Sequence, residues 1–177
     1  MFSNKSGELI RLVTVHRIAG RRVTLFKHSL DDRYDGPAAI STHGGVSLEA
    51  ESVATSEEIS RLSAEAEVVA IDEAQFFDEG LPQVVRDLVE QGATMFAAGL
   101  DRDFRGDPFG PMPALLALAD DVMKLRAVCM RCRSLEGTMT QRLVDGRPAP
   151  PDSPQVLVGA AESYEARCRA CHEVPHG

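Results

Sequence analysis

The sequence is short of basic residues, which argues against a protein that binds nucleic acid through its charge. Lysine and arginine number 19 against 27 aspartate and glutamate residues, which gives a formal net charge of −8. Nonspecific binding of nucleic acid needs a basic face. A small phosphorylated ligand is still compatible with this composition, because it needs only a locally positive pocket.

Long apolar runs are also missing, which excludes a membrane-spanning helix of about 20 residues. Lys5, Ser6, Gly7 and Glu8 interrupt the apolar segment that a secretory signal would need. We therefore expect a cytoplasmic protein. The 177 residues, 44% of them hydrophobic, fit one core domain with a small appendage, and no internal repeat or low-complexity tract is evident.

Cysteine is scarce, yet its four occurrences form two Cys-x-x-Cys pairs, Cys129/Cys132 and Cys168/Cys171. Without a sign of secretion, a tetrathiolate zinc site is favoured over a disulfide framework. His172 is an alternative ligand, although four thiolates already complete a tetrahedron. Four unligated thiols are the remaining alternative.

The segment Val68–Phe77 carries the strongest indication of chemistry. The apolar run Val68–Ile71 predicts a strand buried on both faces, as in parallel sheets, and Asp72 and Glu73 follow at its carboxyl end. Ligands bind beyond the strand ends of open α/β sheets. Because neighbouring strand residues point in opposite directions, we expect one acid to hold a metal ion and the other to handle a proton.

The N-terminus contains two of the residues that a phosphate-binding loop needs. Such a loop supplies backbone N–H groups at a helix start, a lysine for the phosphates and a hydroxyl for magnesium. Lys5 and Ser6 supply the last two, whereas Asn4 stands where a glycine is expected. Lys-Ser alone is compatible with an ordinary helix start, but the acids after Ile71 favour a phosphate loop.

Strands and helices alternate up to about residue 128, which predicts an α/β fold with a mostly parallel sheet. Predicted helices span residues 6–18, 55–62 (with a capping box at Thr55 and Glu58), 81–91 and 114–119. Predicted strands span residues 22–27, 39–50 (two short strands joined at Gly44-Gly45), 68–71, 93–99 and 122–128.

Beyond residue 128 the pattern changes to a smaller unit. Strand-like runs at 138–144 and 155–159 flank a proline-rich loop at 145–151, which predicts a β-hairpin closed at its base by the metal. We therefore predict two domains, an α/β domain over residues 1–128 and a zinc-binding domain over residues 129–177.

Taken together, several segments resemble thymidine kinases of the cellular, zinc-containing type over residues 1 to about 174. The segments are FSNKS, DDRY, STHGG, IDEAQFF, GLDRDFRGDPFG, the two cysteine pairs and VLVGAAESYEARCRAC. The resemblance implies a P-loop α/β domain that binds ATP and a zinc domain whose lasso covers thymidine. It also implies transfer of the γ-phosphate of ATP to the 5′-hydroxyl of thymidine or deoxyuridine by a homotetramer.

The resemblance assigns roles to individual residues. Glu73 corresponds to the general base, Asp72 to the acid that serves Mg²⁺, and Lys5 to the phosphate-binding lysine. The remaining nucleotide-site positions are Ser3 and Asn4 in the loop, Ser6 and Asp31 on the magnesium side, and Arg33 at the phosphates. On spacing alone, Asp31 and Arg33 are equally compatible with a solvated surface pair.

A further set of positions corresponds to the nucleoside pocket. It comprises Met1, Phe76, Leu100, Phe104, Phe109, Thr140, Val156, Val158, Gly159, Ala160 and Tyr164. The three phenylalanines suit a nucleobase, although core packing is the ordinary role of such residues.

The chain departs from the family pattern at its start. It begins inside the phosphate loop, so the family's first strand is not in this sequence, and Asn4 replaces a glycine. We therefore expect weak ATP binding and low or no activity. A nucleotide-binding family member with impaired catalysis is the main alternative.

Two other classes of protein share parts of the sequence. Asp72–Gln75 is similar to the acidic motif of DEAD-type helicases, but these need two motor domains and a basic path for nucleic acid. A zinc-ribbon module that binds nucleic acid explains the cysteines, yet it leaves Asp72 and Glu73 without a purpose.

Overall fold

A computed structural model describes residues 2–31, 39–41, 47–156 and 163–175. The described residues divide into two compact units. The α/β unit is drawn from residues 5–100 and 110–122, and the cysteine unit from residues 1–4, 101–109 and 123–177. No described helix is both long and apolar enough to cross a membrane.

The α/β unit contains a four-stranded parallel sheet in the order β4-β1-β5-β6. The strands are β1 (Val23–His28), β4 (Glu51–Val53), β5 (Val68–Asp72) and β6 (Thr94–Ala97). Every residue of β5 is buried, as the uninterrupted apolar run predicted. The parallel alternation of strands and helices confirms the predicted α/β fold class.

The described part of this unit also contains four α-helices: α1 (Lys5–Ile18), α2 (Ser56–Leu62), α3 (Leu81–Glu90) and α4 (Met112–Leu118). The predicted capping box is confirmed, because Thr55 Oγ1 accepts from Glu58 N and the Glu58 carboxylate accepts from Thr55 N.

The sheet is covered on both faces, because side chains alternate along β5. Val69 and Ile71 pack in a core with apolar residues of α2, α3 and α4. Ala70 packs in a second core with Leu9, Ile10 and Val13 of α1. This two-sided covering is what brings the start of α1 to the carboxyl end of β5.

The predicted pair of short strands in this unit is present as β2 (Ala39–Ser41) and β3 (Ser47–Glu49), which pair antiparallel. The turn predicted at Gly44-Gly45 lies outside the described residues.

The cysteine unit contains a three-stranded antiparallel sheet in the order β8-β7-β9. The strands are β7 (Met139–Val144), β8 (Arg147–Pro148) and β9 (Ser163–Arg167). Asp145 and Gly146 both have positive φ, at 50° and 75°, and make the two-residue turn that pairs Val144 with Arg147.

Two strand predictions are wrong in the described residues. Residues 122–128 form no strand and make only an isolated bridge between Ala127 and Gly137. A Cβ on Gly137 would lie 2.6 Å from the Ala127 carbonyl oxygen, so glycine permits this close approach. Val122 and Met123 are exposed, which is inconsistent with a place in the central sheet.

The predicted hairpin partner of β7 is also corrected. Gln155 and Val156 are not in a strand, and residues 157–159 lie outside the described residues. The long partner of β7 is instead β9, from the Met139–Arg167 pair to the Leu143–Ser163 pair. The predicted boundary between the α/β domain and the zinc domain, at residues 128 and 129, stays a prediction.

Candidate active site and metal centre

The centre of the candidate active site lies where α1 begins and β5 ends. Lys5 is the first residue of α1, and its Nζ lies 2.5 Å from Glu73 Oε1 and 3.4 Å from Asp72 Oδ1. Ser6 Oγ donates to Asp72 Oδ2 at 2.7 Å. Two pairs of residues from two distant parts of the sequence therefore meet at one helix N-terminus, a favourable place for an anion.

The two acids do not point in opposite directions as strand alternation predicts, because both carboxylates lie near Lys5, whereas the division of their roles stays a prediction. Glu73 has φ 51° and ψ 40°, in the left-handed region, so the extended backbone ends at Asp72. This turn directs both carboxylates to Lys5. A left-handed conformation at a residue other than glycine costs on the order of 1–3 kcal/mol and is typical of functional sites.

The charges of the cluster perturb each other. Burial alone would lower the pKa of Lys5, but Asp72 and Glu73 raise it above its ordinary value. Burial would raise the pKa of Glu73, whereas Lys5 and a hydrogen bond from Gln75 hold it below its ordinary value. Lys5 and Glu73 are thus both charged, and two acidic side chains face one ammonium.

The surplus negative charge and the oxygen donors fit a magnesium ion. The Ser6 hydroxyl and the Asp72 carboxylate are hard ligands of the kind that Mg²⁺ prefers. Asp31 ends a short 3-10 helix at Ser29–Asp31 that follows β1. Arg33 lies outside the described residues.

The residues before Lys5 have an unusual backbone. Phe2 and Asn4 both have φ of 60°, and Ser3 lies between them. Asparagine tolerates the left-handed region better than most residues. Asn4 therefore has the backbone conformation for which the expected glycine is suited.

The predicted nucleoside residues are divided between the two units. In the α/β unit, Phe76 lies in a 3-10 helix at Ala74–Phe76, with its ring centroid 6.1 Å from that of His28. Leu100 follows β6, and its N–H donates to Gln75 Oε1 at 2.9 Å.

In the cysteine unit, the buried Phe104 shares one neighbour, Arg142, with Tyr164 of β9. The Arg142 guanidinium lies 5.1 Å from the Phe104 ring centroid and 6.0 Å from the Tyr164 ring centroid. Thr140 is buried on β7, Phe109 is buried, and Val156 is half-buried. Met1, Val158, Gly159 and Ala160 lie outside the described residues.

Sequence reasoning missed the polar residues that hold the segment before the predicted lasso. Asp103 is buried and accepts from the Gln155 amide at 3.0 Å. Arg105 donates to the carbonyl oxygens of Pro151 at 2.8 Å and Ser153 at 2.6 Å. Arg142 donates to the Pro154 carbonyl at 2.6 Å. The charged run Asp101–Asp107 was the available sequence signal.

The four cysteines come together as predicted. Their Sγ atoms all lie within 4.8 Å of one another, and Cys132 Sγ lies 3.7 Å from Cys168 Sγ. A tetrahedral zinc with bonds of about 2.3 Å has ligand sulfurs roughly 3.8 Å apart. The cysteines form no disulfide. His172 is not among these four ligands, and its Nε2 instead lies 2.8 Å from the Phe104 carbonyl oxygen.

The surroundings of the cysteines favour a bound cation. Burial would raise the pKa of Cys129, but hydrogen bonds from backbone N–H groups lower it to about 6. The neighbouring Cys168 thiol and burial raise the pKa of Cys171 to about 12. The close approach of the four sulfurs and the all-cysteine donor set fit structural zinc.

A lysine at the start of a helix, facing acids at the end of a central parallel strand, is the arrangement of P-loop nucleotide-binding proteins. The fold and the site place the chain in that class. A family model described as thymidine kinase matches residues 1–172. The chain therefore belongs to the thymidine kinase family, whose membership implies a kinase that acts on a nucleoside and ATP.

Proposed function

We propose that this protein transfers the γ-phosphate of ATP to the 5′-hydroxyl of thymidine or deoxyuridine and so salvages a DNA precursor. The observation that carries the proposal is the meeting of Lys5 with Asp72 and Glu73 at the carboxyl end of β5. Phosphoryl transfer depends mainly on positioning and on neutralisation of charge. These are the functions that a lysine and a metal-binding acid supply.

Each residue of the cluster has a place in this chemistry. Ser6 and Asp72, with Asp31 implied by the resemblance, would hold Mg²⁺, which neutralises phosphate charge when it is bound with ATP. Lys5 and Arg33 would bind the phosphates. As Lys5 turns from Glu73 toward a phosphate, the pKa of Glu73 rises from its lowered value, which makes the carboxylate a better acceptor for the 5′-hydroxyl proton.

The nucleoside would be held by the remaining predicted positions. Phe104 and Tyr164 both lie near the Arg142 guanidinium in the cysteine unit, and flat rings suit a nucleobase. Residues 156–164 would act as the lasso that the resemblance implies. The same resemblance supports a cytoplasmic homotetramer.

A phosphoryl-transfer assay tests the proposal directly. Because Asn4 has the left-handed backbone that suits this loop, we now expect turnover rather than the low activity predicted from the sequence. Radiolabelled thymidine and deoxyuridine, with ATP and Mg²⁺, should give the 5′-monophosphates, whereas deoxycytidine and deoxyadenosine serve as controls. Thymidine binding by calorimetry without turnover would indicate the impaired family member. A gel shift at physiological salt without nucleoside binding would instead indicate a nucleic-acid module.

The backbone of Asn4 predicts how substitutions in the phosphate loop affect ATP binding. Alanine is penalised at φ 60°, by about 1–2 kcal/mol in the left-handed region, so Asn4→Ala should weaken ATP binding by about tenfold. Asn4→Gly should bind ATP at least as tightly as the parent chain. Calorimetry with ATP and Mg²⁺ measures both, and unaltered affinity in Asn4→Ala would show that this conformation does not matter for ATP.

A further inference from the structure

We propose that Gln75 is a positioning residue that holds the Glu73 carboxylate in the orientation needed for proton transfer. The proposal rests on the role of Glu73 given above. Gln75 is buried, with 2% of its surface exposed, and its Nε2 lies 2.5 Å from Glu73 Oε2. The other carboxylate oxygen, Oε1, contacts Lys5.

The two hydrogen-bond partners of the Glu73 carboxylate, Lys5 and Gln75, differ in whether they would stay in place when ATP binds. Lys5 is the residue that a phosphate group would draw away, whereas Gln75 is uncharged and has no such competing ligand. Once Lys5 leaves, Gln75 still fixes Oε2 and leaves Oε1 directed toward the start of α1. A general base must stay within about 2.6–3.2 Å of the proton that it accepts, so a retained anchor is useful at that moment.

The amide of Gln75 can face Glu73 in only one way. Its Oε1 accepts from the Leu100 N–H at 2.9 Å, so a flipped amide would direct an NH₂ group at this donor and an oxygen at the Glu73 carboxylate. Leu100 lies three residues beyond the end of β6, which ends at Ala97, so this contact is made just past the carboxyl end of that strand. The hydrogen-bond donor toward Glu73 is therefore fixed by the fold.

Two glycines make room for Gln75, because a side chain at either position would collide with it. A Cβ on Gly110 would lie 2.3 Å from the Gln75 carbonyl oxygen, and a Cβ on Gly99 would lie 2.9 Å from Gln75 Oε1. The backbone at Glu73 is left-handed and belongs to neither β5 nor the following 3-10 helix. The direction of its side chain consequently depends on such local contacts.

The charged groups around Glu73 in the described residues are accounted for. Lys5 of α1 and Asp72 of β5 contact it or its backbone, and Lys27 of β1 pairs in register with Asp72. Gln75 is the neutral member of this group. Because Gln75 is neutral, it can orient the Glu73 carboxylate without adding a charge that would attract or repel Lys5 or the phosphates.

A double-mutant cycle separates positioning from general structural support. Gln75→Met keeps the length of the side chain and removes both polar atoms. We expect kcat for thymidine to fall about 10- to 100-fold, the scale of a misplaced catalytic group, with KM within about threefold. In the Glu73→Gln background, the same substitution should lower kcat by less than about twofold, because the carboxylate that it orients is gone.

Controls keep the outcomes distinct. Gln83→Met makes the same replacement on the exposed side of α3, where Gln83 contacts Asp87, and should leave kcat unchanged. Should Gln75→Met fail to fold, Gln75→Asn keeps a neutral amide but is one methylene too short to reach Glu73 from the same backbone, so it should lower kcat to a similar extent. Near-normal kcat in the variant that folds, or equal losses in both backgrounds, would overturn the positioning role. Normal kcat in Glu73→Gln alone would instead overturn the proposed role of Glu73.

Discussion

Replacing Glu73 with glutamine should lower kcat for thymidine by about two to four orders of magnitude, the usual contribution of a general base. Glutamine keeps the size of the side chain and can still contact Gln75, but its amide cannot take the 5′-hydroxyl proton. KM for thymidine should change by less than about threefold, since the nucleoside residues are untouched. Initial rates with saturating ATP and Mg²⁺ measure both constants.

The matched control is Glu79→Gln. Glu79 follows the same strand by seven residues and is exposed, so the substitution removes the same charge from the same segment without touching the cluster. Full activity in Glu79→Gln, together with the fall of kcat in Glu73→Gln, would show that the fall comes from losing Glu73 as proton acceptor and not from losing one negative charge. Equal turnover in Glu73→Gln and the parent protein would remove Glu73 from the mechanism.

The meeting of Lys5, Asp72 and Glu73 was predictable because two local sequence patterns each predict a ligand site at the carboxyl edge of the parallel sheet. An apolar run followed by acids predicts a buried strand with its carboxyl end at the ligand crevice. A Lys-Ser pair at a helix start predicts an anion site. Each rule needs only short stretches of sequence, and the parallel sheet then brings those stretches together.

The relative orientation of the acids could not be predicted in the same way. Strand alternation assumes an extended backbone, and Glu73 leaves that conformation with φ 51°. Nothing in the Asp-Glu dipeptide indicates the left-handed turn, which is stabilised by contacts with Lys5, Gln75 and the sheet edge. Lys5 lies far from Glu73 in the sequence, and Gln75, although near Glu73, is itself held by the distant Leu100.

Errors in the fold have a similar cause. The capping box at Thr55 and Glu58 is local, and it is present. The partner of β7 is a long-range choice, and β9 takes that place although Gln155–Gly159 is the closer apolar run. The isolated bridge of Ala127 likewise depends on Gly137 in a distant loop. Hydrophobic pattern predicts that a segment is extended, but not what it pairs with.

Removing the metal should unfold the cysteine unit and leave the α/β unit folded. Freshly purified protein should contain one zinc ion per chain, bound by Cys129, Cys132, Cys168 and Cys171. The sheet of β7, β8 and β9 is small, and structural zinc supplies roughly 10–16 kcal/mol of apparent binding free energy to units of this size. The metal site is tied to this sheet, because Cys168 directly follows β9 and Met130 N donates to the Ala166 carbonyl at 2.8 Å.

A strong chelator should therefore abolish thymidine binding in calorimetry, since Phe104, Thr140 and Tyr164 belong to the unit that unfolds. Hydrogen exchange should accelerate in residues 123–175 and stay slow in β1 and β5, which have their own buried cores. Cys132→Ser should reproduce the effect, whereas Ser134→Ala, which alters a neighbour 3.4 Å from Cys132 Sγ but no ligand, should retain the zinc. Metal analysis that finds no zinc in protein able to bind thymidine would refute the structural role, because the predicted pocket would then form without the ion.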